Sequence, residues 1–228
     1  MTRVNKYEVV CADVWSVDPY VVVSSFTRNT PYEVEARHLW ESLVEFTVPH
    51  IIFGLENKGP WIANCKAANY VILQAFQWFP DRNVVWLDAD SRVRKPPTLF
   101  DQYGYDIGVY RPEWPPGSGE IECRTGTIFF RNTFAVREFF REYIRATETL
   151  PAEFMPEKYF GKCVENSGLN YDPAFPAEYC AVRKHEGGML EAGINLSDVV
   201  ILQEQAMKHY VKKINRETPS LKSAKPTG

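Results

Sequence analysis

Residues 84–91 read V-V-W-L-D-A-D-S: four apolar residues suited to a strand run straight into two aspartates one residue apart. Like charges that close repel, so the arrangement calls for a cation between them or solvent around them. A D-x-D pair released from a buried strand into a turn offers hard oxygen ligands to Mg²⁺ or Mn²⁺ and leaves coordination positions for phosphate oxygens. The same residues also suit a plain turn with capping aspartates, since Asp and Ser favour turns. The flanking sequence has to separate these two readings.

Upstream, Y-V-V-V-S-S-F (20–26) is a β-branched run that ends in small polar residues. Val34, Leu39, Leu43, Val44 and Phe46 then recur near helical spacing, with Thr30 as an N-cap and Pro31 in the first turn. P-H-I-I-F-G-L (49–55) reads as a second buried strand. From Trp61, the residues Ile62, Cys65, Asn69, Ile72, Leu73, Phe76 and Phe79 share a helix face that Pro80-Asp81 stops. Strand 84–88 follows. This alternation predicts an α/β fold: a single Rossmann-related domain with a central, mostly parallel mixed sheet flanked by helices. Ligands of such sheets bind beyond the carboxyl ends of the strands, which is where Asp88 and Asp90 lie.

The second half is less regular. Y-D-I-G-V-Y (105–110) and G-T-I-F-F (126–130) read as strands, F-A-V-R-E-F-F-R-E-Y-I-R (134–145) as an amphipathic helix, and 111–120 as a Pro- and Gly-rich loop at the mouth of the site. Residues 150–198 carry Pro, Gly and Asn too often to predict long elements and suit a covering region. V-V-I-L (199–202) reads as a last strand, and the following Q-E-Q-A-M-K-H-Y-V-K-K-I as a helix. The expected domain spans 1–214, and 215–228 is a polar tail expected to be disordered.

The 228 residues are 45% hydrophobic, enough for one sizeable core. No apolar run approaches the ~18–20 residues that cross a bilayer, and the start M-T-R-V-N-K-Y-E lacks the core of a secretory signal, so a cytoplasmic location is expected. Five scattered cysteines without C-x-x-C spacing suggest neither a disulfide framework nor a zinc site. A net charge of −3 gives no overall drive toward nucleic acid, although R-V-R-K (92–95) and K-H-Y-V-K-K (208–213) are locally basic.

Three stretches in order resemble the nucleotide-diphospho-sugar glycosyltransferases of the GT-A fold: S-S-F-T-R-N-T-P-Y-E-V-E-A (24–36); W-I-A-N-C-K-A-A-N-Y-V-I-L-Q-A-F (61–76) with V-V-W-L-D-A-D-S-R-V-R-K-P-P-T-L-F (84–100); and R-T-G-T-I-F-F-R-N-T (124–133). The resemblance covers roughly residues 20–135 and implies a metal-dependent transferase that moves a sugar from a nucleotide-diphosphate donor, UDP-sugar by expectation, to a hydroxyl acceptor such as a glycan. It implies Mn²⁺ or Mg²⁺ at Asp88 and Asp90, with Asp88 also near the ribose. Ser25, Phe26, Thr27 and Tyr32 would lie at the nucleotide, and Arg124, Thr125 and Gly126 at the donor sugar or acceptor. The family's diphosphate lysine falls on Lys66, or the alignment lands on Ala68. Gln203 stands where the family often has a metal-ligating His before a Gln-Ala pair; as an amide oxygen it is a weaker ligand, which Glu204, His185 or His209 could replace. A base that deprotonates the acceptor hydroxyl has Glu120, Glu122 and Glu186 as candidates.

Other readings fit less of the sequence. A haloacid-dehalogenase-type phosphatase places its D-x-D on the first strand with Thr or Val two residues later, and here Arg92 stands there. An EF-hand needs Gly at the sixth loop position, which is Val93. A non-catalytic nucleotide or sugar binder, and a base in DNA as the acceptor, stay open.

Overall fold

The computed structural model describes residues 7–14, 17–115, 117–150, 156–183, 190 and 193–205. Strands β1 (Tyr7–Asp13), β2 (Tyr20–Thr27), β3 (His50–Leu55), β4 (Asn83–Leu87), β6 (Ile107–Tyr110) and β7 (Arg124–Phe130) form one sheet in the order β1-β3-β2-β4-β7-β6. Its centre is parallel, β2 lying between β3 and β4. β1 is antiparallel to β3, and β7 is antiparallel to both β4 and β6. The sheet is therefore mixed but not mostly parallel as expected: two of its five pairings are parallel, confined to the β-α-β units that the periodicity picks out, and the edges are antiparallel because β1 and β7 run against their neighbours.

Among the described residues four helices cover it: α1 (Tyr32–Glu45), α2 (Trp61–Trp78), α3 (Phe134–Thr149) and α4 (Pro156–Asn166). The central strands are apolar on both faces, as strands covered on both sides must be. Val21, Val23, Val84 and Trp86 pack with Ile72 and Phe76 of α2, Phe140 of α3 and Phe160 of α4. Their alternates Val22, Val85 and Leu87 pack with Leu39 and Leu43 of α1 and with Phe100. A second sheet of β5 (Ser91–Val93), β9 (Ile201–Gln203) and β8 (Ala181–Val182) holds the segment after the aspartates, with Ser91 opposite Gln203.

Several boundaries differ from expectation. Helix α1 starts at Tyr32 with Pro31 as the N-cap, one residue outside the expected first turn. Thr30 still serves the helix, its hydroxyl accepting the Tyr32 N–H at 3.3 Å and donating to the Thr27 carbonyl at 2.6 Å. Residues 150–198 contain α4, eleven residues long, where only irregular chain was expected. The helix predicted over 203–214 does not begin there: Gln203 ends β9, Ile201–Gln203, and Glu204 and Gln205 are not helical, while residues 206–214 and the tail at 215–228 lie outside the described residues. Cys65, Cys123, Cys163 and Cys180 are free thiols.

Candidate functional site

From β2 the chain crosses to β3 on one side and then to β4 on the other, so the β2/β4 boundary is a topological switch point. Pairing between these strands ends at Val23 opposite Trp86, while β2 continues along β3 to Thr27. The carboxyl ends of β2 and β4 thus separate. A cleft of about 400 Å³ opens between them, lined by Ser25, Phe26 and Thr27 of β2 and by Tyr32 at the start of α1. Asp88, Asp90, Arg124 and Thr125 line it as well, and the first half of α2 contributes Trp61, Asn64, Cys65, Ala68 and Asn69.

The D-x-D turn is held from three sides. The Asp88 N–H donates to the Gly126 carbonyl at 3.0 Å, the Ser91 N–H to the Asp88 carbonyl at 2.9 Å, and the Glu204 N–H to the Asp90 carbonyl at 3.1 Å. The Trp86 indole N–H donates to Asp88 Oδ1 at 2.9 Å, which fixes one carboxylate oxygen and leaves it lone pairs for a further ligand. Both aspartates are half-buried. Burial, and then the charges of Asp90 and Asp88, push the Tyr32 hydroxyl well above the ordinary tyrosine range, so beside the carboxylates it stays protonated. Arg124 lies 3.3 Å from Glu122 and 5.1 Å above the Trp114 ring, which ties the start of β7 to the loop at 111–123.

The remaining predicted residues fall elsewhere. Gly126 meets the site through its carbonyl only: a Cβ there would stand 2.7 Å from Gln203 Cδ. Gln203 is buried, its amide oxygen accepting from the Ser91 hydroxyl at 2.7 Å and its amide nitrogen donating to Thr127 Oγ1 at 3.0 Å. Both ends are engaged and Gln203 stands outside the cleft lining, so its place in the structure is that of a tie between β5 and β7. Glu204 lies 2.8 Å from Arg183 as an ion pair. Lys66 lies outside the cleft with its ammonium 3.3 Å from the Leu150 carbonyl, whereas Ala68, the other landing point of that alignment, lines it. Glu120 and Glu122 also stand outside the lining. His185, Glu186 and His209 lie outside the described residues.

Several lining residues, Trp61, Asn64, Cys65, Asn69 and Gln205 among them, were not predicted as site residues, and Gln205 has the most distinctive surroundings. Gln205, with its backbone at φ 52°, carries a buried amide oxygen that has no hydrogen-bond partner among the described residues. Its signal was the polar pair that follows the last strand. For a divalent cation, the two carboxylates of the D-x-D turn are a suitable hard-oxygen pair. Among the described residues no group of three or more His, Cys, Asp and Glu is placed to hold a metal.

The chain matches no protein-family model and no curated protein by sequence. Its fold does have solved counterparts. It is similar to a glycosyltransferase involved in the glycosylation of the major capsid of PBCV-1, at 17% identity and a TM-score of 0.56, over 86% of this chain and 100% of that one. It is also similar to the apo form of the glycosyltransferase GlyE of Streptococcus pneumoniae TIGR4, at 15% identity and a TM-score of 0.53, over 82% of this chain. The chain spans 54% of the length of GlyE. The fold is thus one used by glycosyltransferases, as the resemblance in the sequence implied. Among the described residues no helix is long and apolar enough to cross a membrane.

Proposed function

We propose that the chain is a glycosyltransferase that takes a nucleotide-diphospho-sugar, with UDP as the favoured nucleotide, into the β2/β4 cleft and passes the sugar to a hydroxyl acceptor. The carrying observation is convergence: three sequence-distant segments, 25–32, 88–90 and 124–125, line one cleft at the switch point of a fold shared with glycosyltransferases.

In this reading Phe26, Thr27 and Tyr32 receive the nucleoside, the Phe26 and Tyr32 rings offering flat faces to the base. Asp88 and Asp90 would hold Mn²⁺ or Mg²⁺, which when bound supplies positive charge against the diphosphate as it leaves. Trp86 keeps the Asp88 carboxylate oriented. Arg124 and Thr125 donate toward the sugar-phosphate end, and the Gln205 amide oxygen accepts from a donor hydroxyl. A phosphatase of the haloacid dehalogenase type would place a lysine beside the aspartates, and Lys66 stands outside their cleft.

A panel of nucleotide sugars incubated with Mn²⁺ or Mg²⁺ tests this. Slow metal-dependent donor hydrolysis is expected, with UDP-sugars preferred. Asp90→Ala is expected to weaken metal-dependent nucleotide binding in calorimetry by at least the ~10–100-fold that loss of a ligand's supporting partner costs. Unchanged, metal-independent binding in that variant would show the site to be misassigned, and phosphate release from simple phosphomonoesters would favour the phosphatase.

A further inference from the structure

Helix α2 is packed unevenly along its length. Residues 62–69 are all half-buried, whereas Val71, Ile72, Ala75 and Phe76 in the second half are buried. Cavities on two sides of the first half account for this. One is the cleft of Asp88 and Asp90, reached by Asn64, Cys65 and Ala68. The other, about 440 Å³, is lined by Ala63, Lys66, Ala67 and Tyr70 of α2, by Glu56 and Lys58 after β3, and by Glu148 of α3. Leu55, the last residue of β3, lines both.

The second cavity carries donors and acceptors in balance. The Tyr70 hydroxyl donates to the Glu148 carboxylate, and Lys58 pairs with Glu56 at 2.6 Å. The Lys66 ammonium makes a single long bond, 3.3 Å to the Leu150 carbonyl, and pairs with no carboxylate among the described residues. Since an ammonium has three donors, it retains capacity for a ligand. Two ammonium groups and two carboxylates leave the lining without net charge. A phosphate or nucleic acid would meet Glu56 and Glu148 as well as the lysines. An uncharged, polyhydroxylated ligand suits mixed donors and acceptors beside a partly exposed aromatic ring, because each hydroxyl both donates and accepts.

We propose that this cavity binds neutral sugar residues of the acceptor glycan, with Lys66 donating to sugar hydroxyls, Glu148 accepting from them and the Tyr70 ring against a sugar face. The assignment rests on the sugar-transfer reading of the cleft, and gives Lys66 a role away from the diphosphate. Neutral di- to tetrasaccharides of glucose, galactose and mannose, titrated into the ¹⁵N-labelled full chain, are expected to shift the amides of Ala63, Ala67 and Tyr70. Lys66→Ala and Glu148→Ala should each weaken that binding about tenfold, the loss expected for a hydrogen bond to a charged group, while donor hydrolysis in the cleft is unchanged. No shift with any of these sugars, shifts that survive both variants, or stronger shifts with inorganic phosphate would overturn the assignment. Sugar binding as expected in a chain that hydrolyses no nucleotide sugar would support the cavity and sink the transfer reading, so the two fail separately.

Discussion

At Gly126 the absence of a side chain is a packing requirement. An added Cβ would meet Gln203 Cδ at 2.7 Å and Oε1 at 2.8 Å, inside contact distance. Gln203 has little freedom to retreat, because its amide bridges the buried Ser91 and Thr127 hydroxyls. Gly126→Ala is therefore expected to destabilise by about 1–3 kcal/mol, as overpacking does. Gln203→Ala should lose a similar ~1–3 kcal/mol by leaving the buried Ser91 hydroxyl without its side-chain partner and removing one of the partners of Thr127, whose hydroxyl also bonds Cys180. Combined, the two changes should cost clearly less than their sum, since either one already disrupts the same contact. Urea denaturation of the four proteins checks this, and strictly additive losses would dismiss the coupling. The residue scale is also where sequence reading reached its limit: a Gln at a ligand-like position can face a cation or tie two strands, and only its partners decide. Lys66 shows the same limit, one helix position separating the lining of one cavity from that of another.

Along β4, alternation places Val84 and Trp86 on the α2 side and Val85 and Leu87 on the α1 side. The first residue past the strand, Asp88, takes its support from Trp86, two positions back. Trp86→Phe keeps an aromatic ring in the core and removes the indole N–H. It is expected to lower metal-dependent nucleotide affinity about tenfold, the low end of the effect of losing a ligand's supporting partner; the smaller ring also leaves space in the core and lowers the melting temperature, so affinities are compared well below both transitions. Calorimetry with Mn²⁺ and a donor nucleotide measures this; equal affinity would mean that Asp88 holds its orientation without Trp86. Elements with a strong period of their own, such as α1, α2, β2, β3 and β4, were legible from the chain alone. β5 and β8 are too short to carry a pattern and exist through pairing with β9. Helix α4 did carry a signal, Pro156 at its start and the apolar set Phe160, Cys163 and Val164, but the Pro- and Gly-rich composition around it outweighed that. β1 was passed over because its pairing with β3 is made at a distance in sequence.

Across the whole molecule, covering both faces of the sheet buries ionisable groups that are neutral at pH 7. Burial pushes the Cys180 thiol up to about 12, with the Asp88 charge adding to it, and burial also pushes Cys123 to about 12. Burial raises the Tyr20 and Tyr103 hydroxyls above the ordinary tyrosine range too. In the unfolded chain these thiols titrate near ~8.5. Above that pH the folded state holds more protons than the unfolded state, so stability falls as pH rises. The contribution of each thiol is complete below its unfolded pKa and is lost as pH climbs from about 9 to about 12. Thermal unfolding under reducing conditions should therefore show a midpoint that is flat between about pH 7 and 8.5 and falls beyond about 9. A chain carrying both Cys123→Ala and Cys180→Ala should start lower, because of the space left in the core, yet decline less steeply. If the double variant loses stability in alkali as steeply as the parent, the sensitivity lies elsewhere, with Tyr20 and Tyr103 the next groups to replace by Phe.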